Sequence, residues 1–141
     1  MIYLDTSAAV PLFVPEPASA SIDRWFSECD IPLVSSDWIV TEFASALSIK
    51  GRSGTLSSSA AGAAWKQFSA FCATGLHLAP VSREAFVQAA AMARGADHGL
   101  RSSDALHLAV ARELGVSAIA TLDANMIRNA KRLKMKTVDF A

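Results

Sequence analysis

Four carboxylates adjoin apolar segments of this chain, where a charged group is costly unless it is paired or bound to a metal. They are Asp5 after residues 2–4, Glu42 within residues 39–44, Asp104 before residues 105–111, and Asp123 after residues 118–122. No Lys or Arg lies within a few residues of Asp5 or Asp123, so we expect no cation of the chain to neutralise the group. A hard divalent cation, which prefers oxygen ligands, is the expected neutraliser.

Short apolar runs alternate with longer helical patterns, which is typical of an α/β domain with a mainly parallel sheet. The pattern predicts strands at residues 2–4, 32–35, 76–79 and 116–121, with an edge strand at 137–140. Helices are predicted from residue 6 or 7, from 17, from 36 or 37 to just before 51, from 57 to 72, 82 to 94, 102 or 103 to 114, and 124 to 133. Pro11 predicts that the first helix is short or irregular.

This map places the four carboxylates where they can face one crevice. Asp5 and Asp123 lie just past the carboxyl ends of strands, where open α/β sheets bind their ligands. Asp104 lies in the first turn of its helix, where the helix dipole favours an anion, and Glu42 lies one turn into another. One or two divalent ions held there would activate a water for attack on a phosphodiester and offset charge on the leaving oxygen. Without metal, mutual repulsion predicts raised carboxylate pKa values.

Each of these residues also has a structural interpretation. Asp5, Asp104 and Asp123 could be strand-end or helix caps, and Glu42 a solvated helix position; a cap and a metal ligand are not exclusive, because a carboxylate has two oxygens. Capping is the favoured role of the hydroxyl and amide side chains near Asp5 and Asp123, which belong to Thr6, Ser7, Thr121 and Asn125. His107, one turn after Asp104, is interpreted as a packed, hydrogen-bonded histidine in preference to a ligand or general base.

Composition predicts one compact domain over residues 1–141. The chain is 52% hydrophobic and has a mean hydropathy of +0.30. Its formal net charge is zero, so no global positive field attracts nucleic acid. Two cysteines are too few for a disulfide framework, and we find no signal peptide and no apolar run that could span a bilayer. We therefore expect a cytoplasmic protein without membrane association.

Two basic segments could nevertheless contact a phosphate backbone. The first holds the candidate contacts Arg128, Lys131 and Arg132, and the second holds Lys50 and Arg52. A solvated helix face is the alternative interpretation of the first segment.

The four acidic segments together resemble the conserved blocks of the PIN-domain ribonucleases, most closely the VapC toxins of type II toxin–antitoxin modules. The blocks are Leu4-Asp5-Thr6-Ser7, Thr41-Glu42-Phe43, Ser103-Asp104-Ala105-Leu106-His107-Leu108-Ala109 and Thr121-Leu122-Asp123. The resemblance implies a three-layer α/β/α PIN-like fold with a central, mainly parallel sheet. It also implies Mg²⁺- or Mn²⁺-dependent cleavage of RNA, inhibition by a cognate antitoxin protein, and a homodimer.

By position, the resemblance assigns catalysis and metal binding to Asp5, Glu42, Asp104 and Asp123. Thr6 and Thr121 would then position these ligands without binding the metal themselves. Two alternatives stay open: a catalytically silent PIN-fold interaction protein, and a receiver-like phosphoacceptor module. The second lacks support, because Asp5 is not part of an acidic pair and residues 38–80 contain no strand-end Asp.

Overall fold

The computed structural model describes residues 1–141, which form an α/β fold built on four parallel strands. The strands are β1 (Ile2–Leu4), β2 (Leu33–Ser36), β3 (His77–Ala79) and β4 (Ala118–Ala120). The helices are α1 (Thr6–Phe13), α2 (Ser19–Glu28), α3 (Trp38–Arg52), α4 (Ser58–Thr74), α5 (Arg83–Ala93), α6 (Ser102–Glu113) and α7 (Ala124–Arg132), with a 3₁₀ turn at Ala96–His98. The predicted fold class is confirmed.

The sheet has the strand order β3-β2-β1-β4. Strand β1 is therefore central, with Tyr3 paired to Val34 of β2 on one side and to Ile119 of β4 on the other. The chain moves outward in one direction from β1 to β3 and then returns to the other side of β1 for β4. This reversal leaves a crevice between the carboxyl ends of β1 and β4, which is where such sheets bind ligands.

Helices cover both faces of the sheet, because successive strand residues point into two different cores. Tyr3, Val34 and Ile119 pack into the core formed with α5, α6 and α7. Ile2 and Leu4 pack into the opposite core, formed with α1 to α4. The sheet is thus the middle layer of three, as predicted.

Two predictions of element bounds need correction. The segment 137–140 is not a strand: it makes only a single parallel bridge, between Thr137 and Ile119. Helix α3 does not stop before Gly51 but runs to Arg52. The prediction for the first helix is confirmed in its length, since α1 has eight residues and contains Pro11.

The first turns of α4 and α5 are capped by serine side chains at the predicted helix starts. Ser57 accepts a hydrogen bond from the Ala60 N–H, and Ser82 accepts one from the Ala85 N–H. Helix α6 differs, because its N-cap is Arg101 and makes no side-chain cap. None of the helices has the length and apolar character needed to cross a membrane.

The core around α3 predicts that truncating a buried apolar side chain of this helix costs much more stability than truncating an exposed one. The Phe43 ring stacks on Phe68 with a centroid distance of 3.9 Å, and both rings are buried. We expect Phe43→Ala to lower the free energy of unfolding by about 3–5 kcal/mol, because it leaves a cavity. Ile49→Ala is the matched control: Ile49 is 55% exposed, so its truncation should cost within about 0.5 kcal/mol. Denaturant titration of both variants measures the difference, and equal costs would contradict the packing described here.

Candidate metal centre

The four predicted carboxylates converge on the crevice beyond β1 and β4. Asp5 follows β1, Glu42 lies in α3, Asp104 lies in the first turn of α6, and Asp123 is the N-cap of α7. Asp5 and Asp104 are almost fully buried, with 4% and 7% of their surface exposed. The structure therefore brings together groups that stand far apart in the sequence, two of them removed from water.

One carboxylate oxygen of Asp5 accepts the structural hydrogen bonds, and the other faces the cluster. Its Oδ2 accepts hydrogen bonds from the Ser7 N–H at 3.2 Å, the Ser7 hydroxyl at 2.5 Å and the Thr121 hydroxyl at 2.9 Å. The Ser7 N–H bond caps α1. Its Oδ1 makes none of these bonds and lies 3.7 Å from His107 Nε2. The side chain is thus fixed while one oxygen stays available to a cation.

Asp123 repeats this arrangement at the start of α7. Its Oδ1 accepts from the Met126 N–H at 2.9 Å and caps the helix. Its Oδ2 makes no cap and lies 3.6 Å from the Arg101 guanidinium, which also lies 3.5 Å from Asp104 Oδ2. The same residue therefore serves as a cap and offers an oxygen to the crevice, the combination that the sequence left open.

Thr6 and His107 both contact the Glu42 carboxylate and hold it in place. The Thr6 hydroxyl donates to Glu42 Oε1 at 2.8 Å, and His107 Nε2 makes a short contact with the same oxygen. His107 is fully buried, and its Nδ1 lies 2.7 Å from the Tyr3 hydroxyl. The interpretation of His107 as a packed, hydrogen-bonded residue is confirmed.

The contacts between His107 and Glu42 move their pKa values in opposite directions. Burial lowers the pKa of His107, but the hydrogen bond with Glu42 and the charges of Asp5, Glu42 and Asp104 outweigh it and raise the pKa above the ordinary histidine value. Burial raises the pKa of Glu42, but the bond with His107 and the bond from Thr6 outweigh it and lower the pKa. Both shifts favour an imidazolium paired with a carboxylate.

Asp104 behaves differently because it lacks such a partner. Burial, together with the nearby charge of Asp123, raises the pKa of the Asp104 carboxyl above its usual value, against the opposing charge of Arg101. The expectation of raised pKa values is therefore confirmed for Asp104 and wrong for Glu42. No sequence pattern near Glu42 indicates the histidine that stabilises its charge.

Arg101 also corrects the expectation that no cation of the chain reaches the carboxylates. Its guanidinium lies 3.5 Å from Asp104 Oδ2 and 3.6 Å from Asp123 Oδ2. The side chain is 74% exposed, so water screens these pairs strongly. Arg101 and His107 together offset part of the negative charge without filling the crevice.

The donor chemistry fits a hard divalent cation. Oxygen atoms of Asp5 and Glu42 lie within 4.8 Å of each other and of His107 Nε2. We exclude His107 from the ligand set, because Glu42 and Tyr3 already occupy both of its ring nitrogens. The remaining donors are carboxylate oxygens, which Mg²⁺ and Mn²⁺ prefer.

The basic residues of α7 contact neighbouring side chains and not the four carboxylates. The Arg128 guanidinium contacts Asn125, and the Arg132 guanidinium contacts His98 and donates to Asn129 at 3.0 Å. Lys131 lies two turns into a helix whose N-terminus adjoins the site. Contact of Arg128, Lys131 and Arg132 with a phosphate backbone stays a prediction.

A family model decides how this fold is classified: the model of the PIN domain matches residues 2–132. The chain belongs to the PIN-domain family. The family predicted from the four acidic blocks is therefore confirmed. A comparison with curated protein sequences gave no significant match.

Solved structures with low sequence identity share this PIN fold. The VapC20 toxin of Mycobacterium tuberculosis, described as cleaving the sarcin–ricin loop, is 20% identical with a TM-score of 0.71, covering 89% of this chain and 92% of its own. FitAcB from Neisseria gonorrhoeae is 16% identical with a TM-score of 0.71, covering 99% and 98%. A toxin–antitoxin complex from Klebsiella pneumoniae is 12% identical with a TM-score of 0.67, covering 100% and 98%.

The pairing of His107 with Glu42 predicts how the stability of this PIN domain depends on pH without metal. A histidine whose pKa is raised by folding stabilises the protein fully below its ordinary value of 6.5, and this contribution disappears as the pH rises through the higher folded pKa. We therefore expect the free energy of unfolding in EDTA to fall as the pH is raised above about 6.5.

Glu42→Gln should flatten this alkaline decrease, because it removes the carboxylate that holds the proton on His107. Denaturant titrations across the pH range, on the wild type and the variant, measure both slopes. Identical slopes would contradict the ion pair. The matched control is Glu28→Gln, which changes an exposed carboxylate at the end of α2.

Proposed function

We propose that this PIN domain is a divalent-metal-dependent endoribonuclease that acts as the toxin of a toxin–antitoxin module. The observation that carries the proposal is the gathering of four carboxylates beyond β1 and β4: Asp5 and Glu42 have oxygens within 4.8 Å of each other, and Asp104 lies close enough to Asp5 and Asp123 for their charges to raise its pKa. Asp5 and Asp123 each use one oxygen as a helix cap and keep the other out of the cap. An arrangement that served only to cap helices would not need two further carboxylates, one of them buried with a raised pKa. Family membership supports the same chemistry.

In the proposed mechanism, Asp5, Glu42, Asp104 and Asp123 hold Mg²⁺ or Mn²⁺. The ion would acidify the attacking water and stabilise negative charge on the phosphodiester. Thr121 and Ser7 fix the Asp5 carboxylate, and Thr6 and His107 fix that of Glu42. This fixed geometry is what a metal-dependent hydrolysis requires of the protein, because misplaced ligands cost rate even when they still bind.

No side chain in the crevice is arranged as a protein nucleophile. The Ser7 hydroxyl donates to Asp5 and accepts from the Leu122 N–H at 2.9 Å, and the Thr6 hydroxyl donates to Glu42. His107, the only imidazole in the cluster, is fully buried. These engagements favour direct attack by water over a covalent intermediate.

The two alternatives have less support. A receiver-like phosphoacceptor module is inconsistent with membership of the PIN-domain family. A catalytically silent PIN-fold interaction protein would have no need of the complete acidic set. RNase assays with and without EDTA separate the silent protein from the nuclease.

Substitution of single carboxylates tests the ribonuclease proposal. Asp5→Asn and Asp104→Asn should each abolish Mg²⁺-dependent cleavage of labelled RNA. Asp23→Asn is the matched control, since Asp23 is an exposed carboxylate in α2 and its variant should cleave normally. Wild-type cleavage by both site variants would remove the basis of the proposal.

The same two variants should differ in stability when metal is removed. In EDTA, Asp104→Asn should melt at an equal or higher temperature than the wild type, because it relieves a buried charge with a raised pKa. Asp5→Asn should melt lower, because three hydrogen bonds to a charged carboxylate become weaker bonds to an amide. Added Mg²⁺ or Mn²⁺ should stabilise the wild type more than either variant.

The toxin proposal adds partners: RNA as substrate, a cognate antitoxin, a second copy of the chain, and a cytoplasmic site of action. Two of the solved structures that share this fold are described as a toxin and as a toxin–antitoxin complex. We expect a small adjacent gene whose product co-purifies with the chain and suppresses cleavage. Co-expression followed by affinity purification and an RNase assay tests this. Absence of such a gene together with absence of toxicity would contradict the toxin assignment and leave the nuclease assignment standing.

A further inference from the structure

A cleft of about 420 Å³, lined by both polar and apolar residues, adjoins the carboxylate cluster at Asp123 and reaches Lys50 of α3. Thr6, Ser7 and Asp123 line the end that adjoins the candidate metal centre, and Glu16 and Lys50 are charged residues of its lining as well. Val10, Ala46 and Leu122 form an apolar wall. The volume lies in the range of small-molecule sites and is sufficient for a nucleotide.

Lys50 is the only cation that lines this cleft. Its ammonium pairs with the Glu16 carboxylate, and each side chain is about one-quarter exposed, at 26%. Glu16 is itself positioned, because its backbone N–H donates to the Ser19 hydroxyl at 2.9 Å. An ammonium has three donors, so Lys50 can keep Glu16 and still bind an incoming oxygen.

The helix sets the distance between Lys50 and the metal ligands. Glu42, Ala46 and Lys50 follow one another at intervals of four residues in α3, so they lie along one side of the helix. Eight residues correspond to about 12 Å along the axis. A strand whose scissile phosphate lies at the carboxylates would therefore pass Ala46 and reach Lys50 with a phosphate about two nucleotides away.

Other basic residues are less well placed for this role. Arg52, two residues further, is exposed and donates to Ser48 at 2.5 Å, outside the cleft. Arg128 and Arg132 are engaged with neighbouring side chains of α7 and the 3₁₀ turn. In a chain of zero net charge, local cations must supply the attraction for a phosphate. Arg101 is such a cation at Asp104 and Asp123, and Lys50 is the one that lines the cleft.

We propose that this cleft is the subsite for the single-stranded RNA that flanks the scissile bond, with Lys50 binding a flanking phosphate and Glu16 positioning the Lys50 ammonium. The apolar wall gives a ribose or base a surface to pack on. The inference rests on the proposed ribonuclease function, but it assigns residues outside the carboxylate cluster. The Glu16 carboxylate also repels the phosphate, so the Lys50–Glu16 ion pair binds a phosphate less strongly than Lys50 would alone.

The test measures equilibrium binding of a short fluorescein-labelled single-stranded RNA, at several salt concentrations with Mg²⁺ present. Binding is measured in the Asp104→Asn background, which the proposed function makes unable to cleave. Lys50→Gln should weaken binding and reduce the slope of log affinity against log salt by about 0.7, the value for one contact with a single strand. Lys50→Arg, which keeps the charge, should retain most of the slope.

Two further variants act as controls. Lys66→Gln removes the same charge from an exposed position in α4 and should leave the slope unchanged. Glu16→Gln should tighten binding by a larger factor in the chain that keeps Lys50 than in the Lys50→Gln chain, because the two residues are coupled. Equal factors would show that Glu16 does not act through Lys50.

Cleavage by the chain with its carboxylates intact separates this inference from the proposed function. Lys50→Gln should raise KM for RNA with little change in kcat. If the wild type cleaves and Lys50→Gln behaves as Lys66→Gln does, the subsite is wrong and the ribonuclease stands. If binding depends on Lys50 but the wild type does not cleave, the subsite stands and the ribonuclease is wrong. Absence of RNA binding by the wild type would overturn both.

Discussion

The repulsion among four carboxylates at one edge of the sheet is the constraint that the surrounding structure must balance. Two unit charges 4 Å apart at an effective dielectric of 20 repel by roughly 4 kcal/mol. Asp5 and Asp123 are each held by a hydrogen bond that also caps a helix. Glu42 is held by a buried imidazole that favours the charged form, and Asp104 keeps an exposed guanidinium nearby. The charges are thus held in place by ordinary structural bonds, and much of their repulsion remains.

Strand β1 links this charged edge to both cores. Three residues place Ile2 and Leu4 in one core and Tyr3 in the other, and the next residue is Asp5. The Tyr3 hydroxyl reaches His107, which in turn contacts Glu42. The position of the Glu42 carboxylate in α3 therefore depends on the buried His107 ring, which the Tyr3 hydroxyl of the central strand contacts. Core packing and site geometry are coupled through one short segment.

The parts that were predictable from the sequence are those set by local pattern. Short apolar runs predicted the four strands, helical spacings predicted the seven helices, and strand-end positions predicted that Asp5 and Asp123 lie near each other. The contact of Tyr3 with His107 joins residues 104 apart in the chain, and no local pattern encodes it. Arg101 was missed because its two ion pairs depend on how the loop before α6 meets the loop after β4. The segment 137–140 has strand-like composition but continues only one bridge beside β4, since β4 itself is three residues long.

The placement of β1 between β2 and β4 has a consequence for the order of biosynthesis. A ribosome makes Asp5 well before the neighbouring strand β4 and Asp123, and the Thr121 that bonds to Asp5 follows it by 116 residues. Until then β1 lacks one of its two partners, and Asp5 lacks the Thr121 hydroxyl that fixes its carboxylate. Such long-range pairing forms late, because the intervening chain must be ordered first. A chain that ends before Asp123 therefore cannot assemble the complete cluster, and any activity of that cluster appears only after β4 and Asp123 have been made.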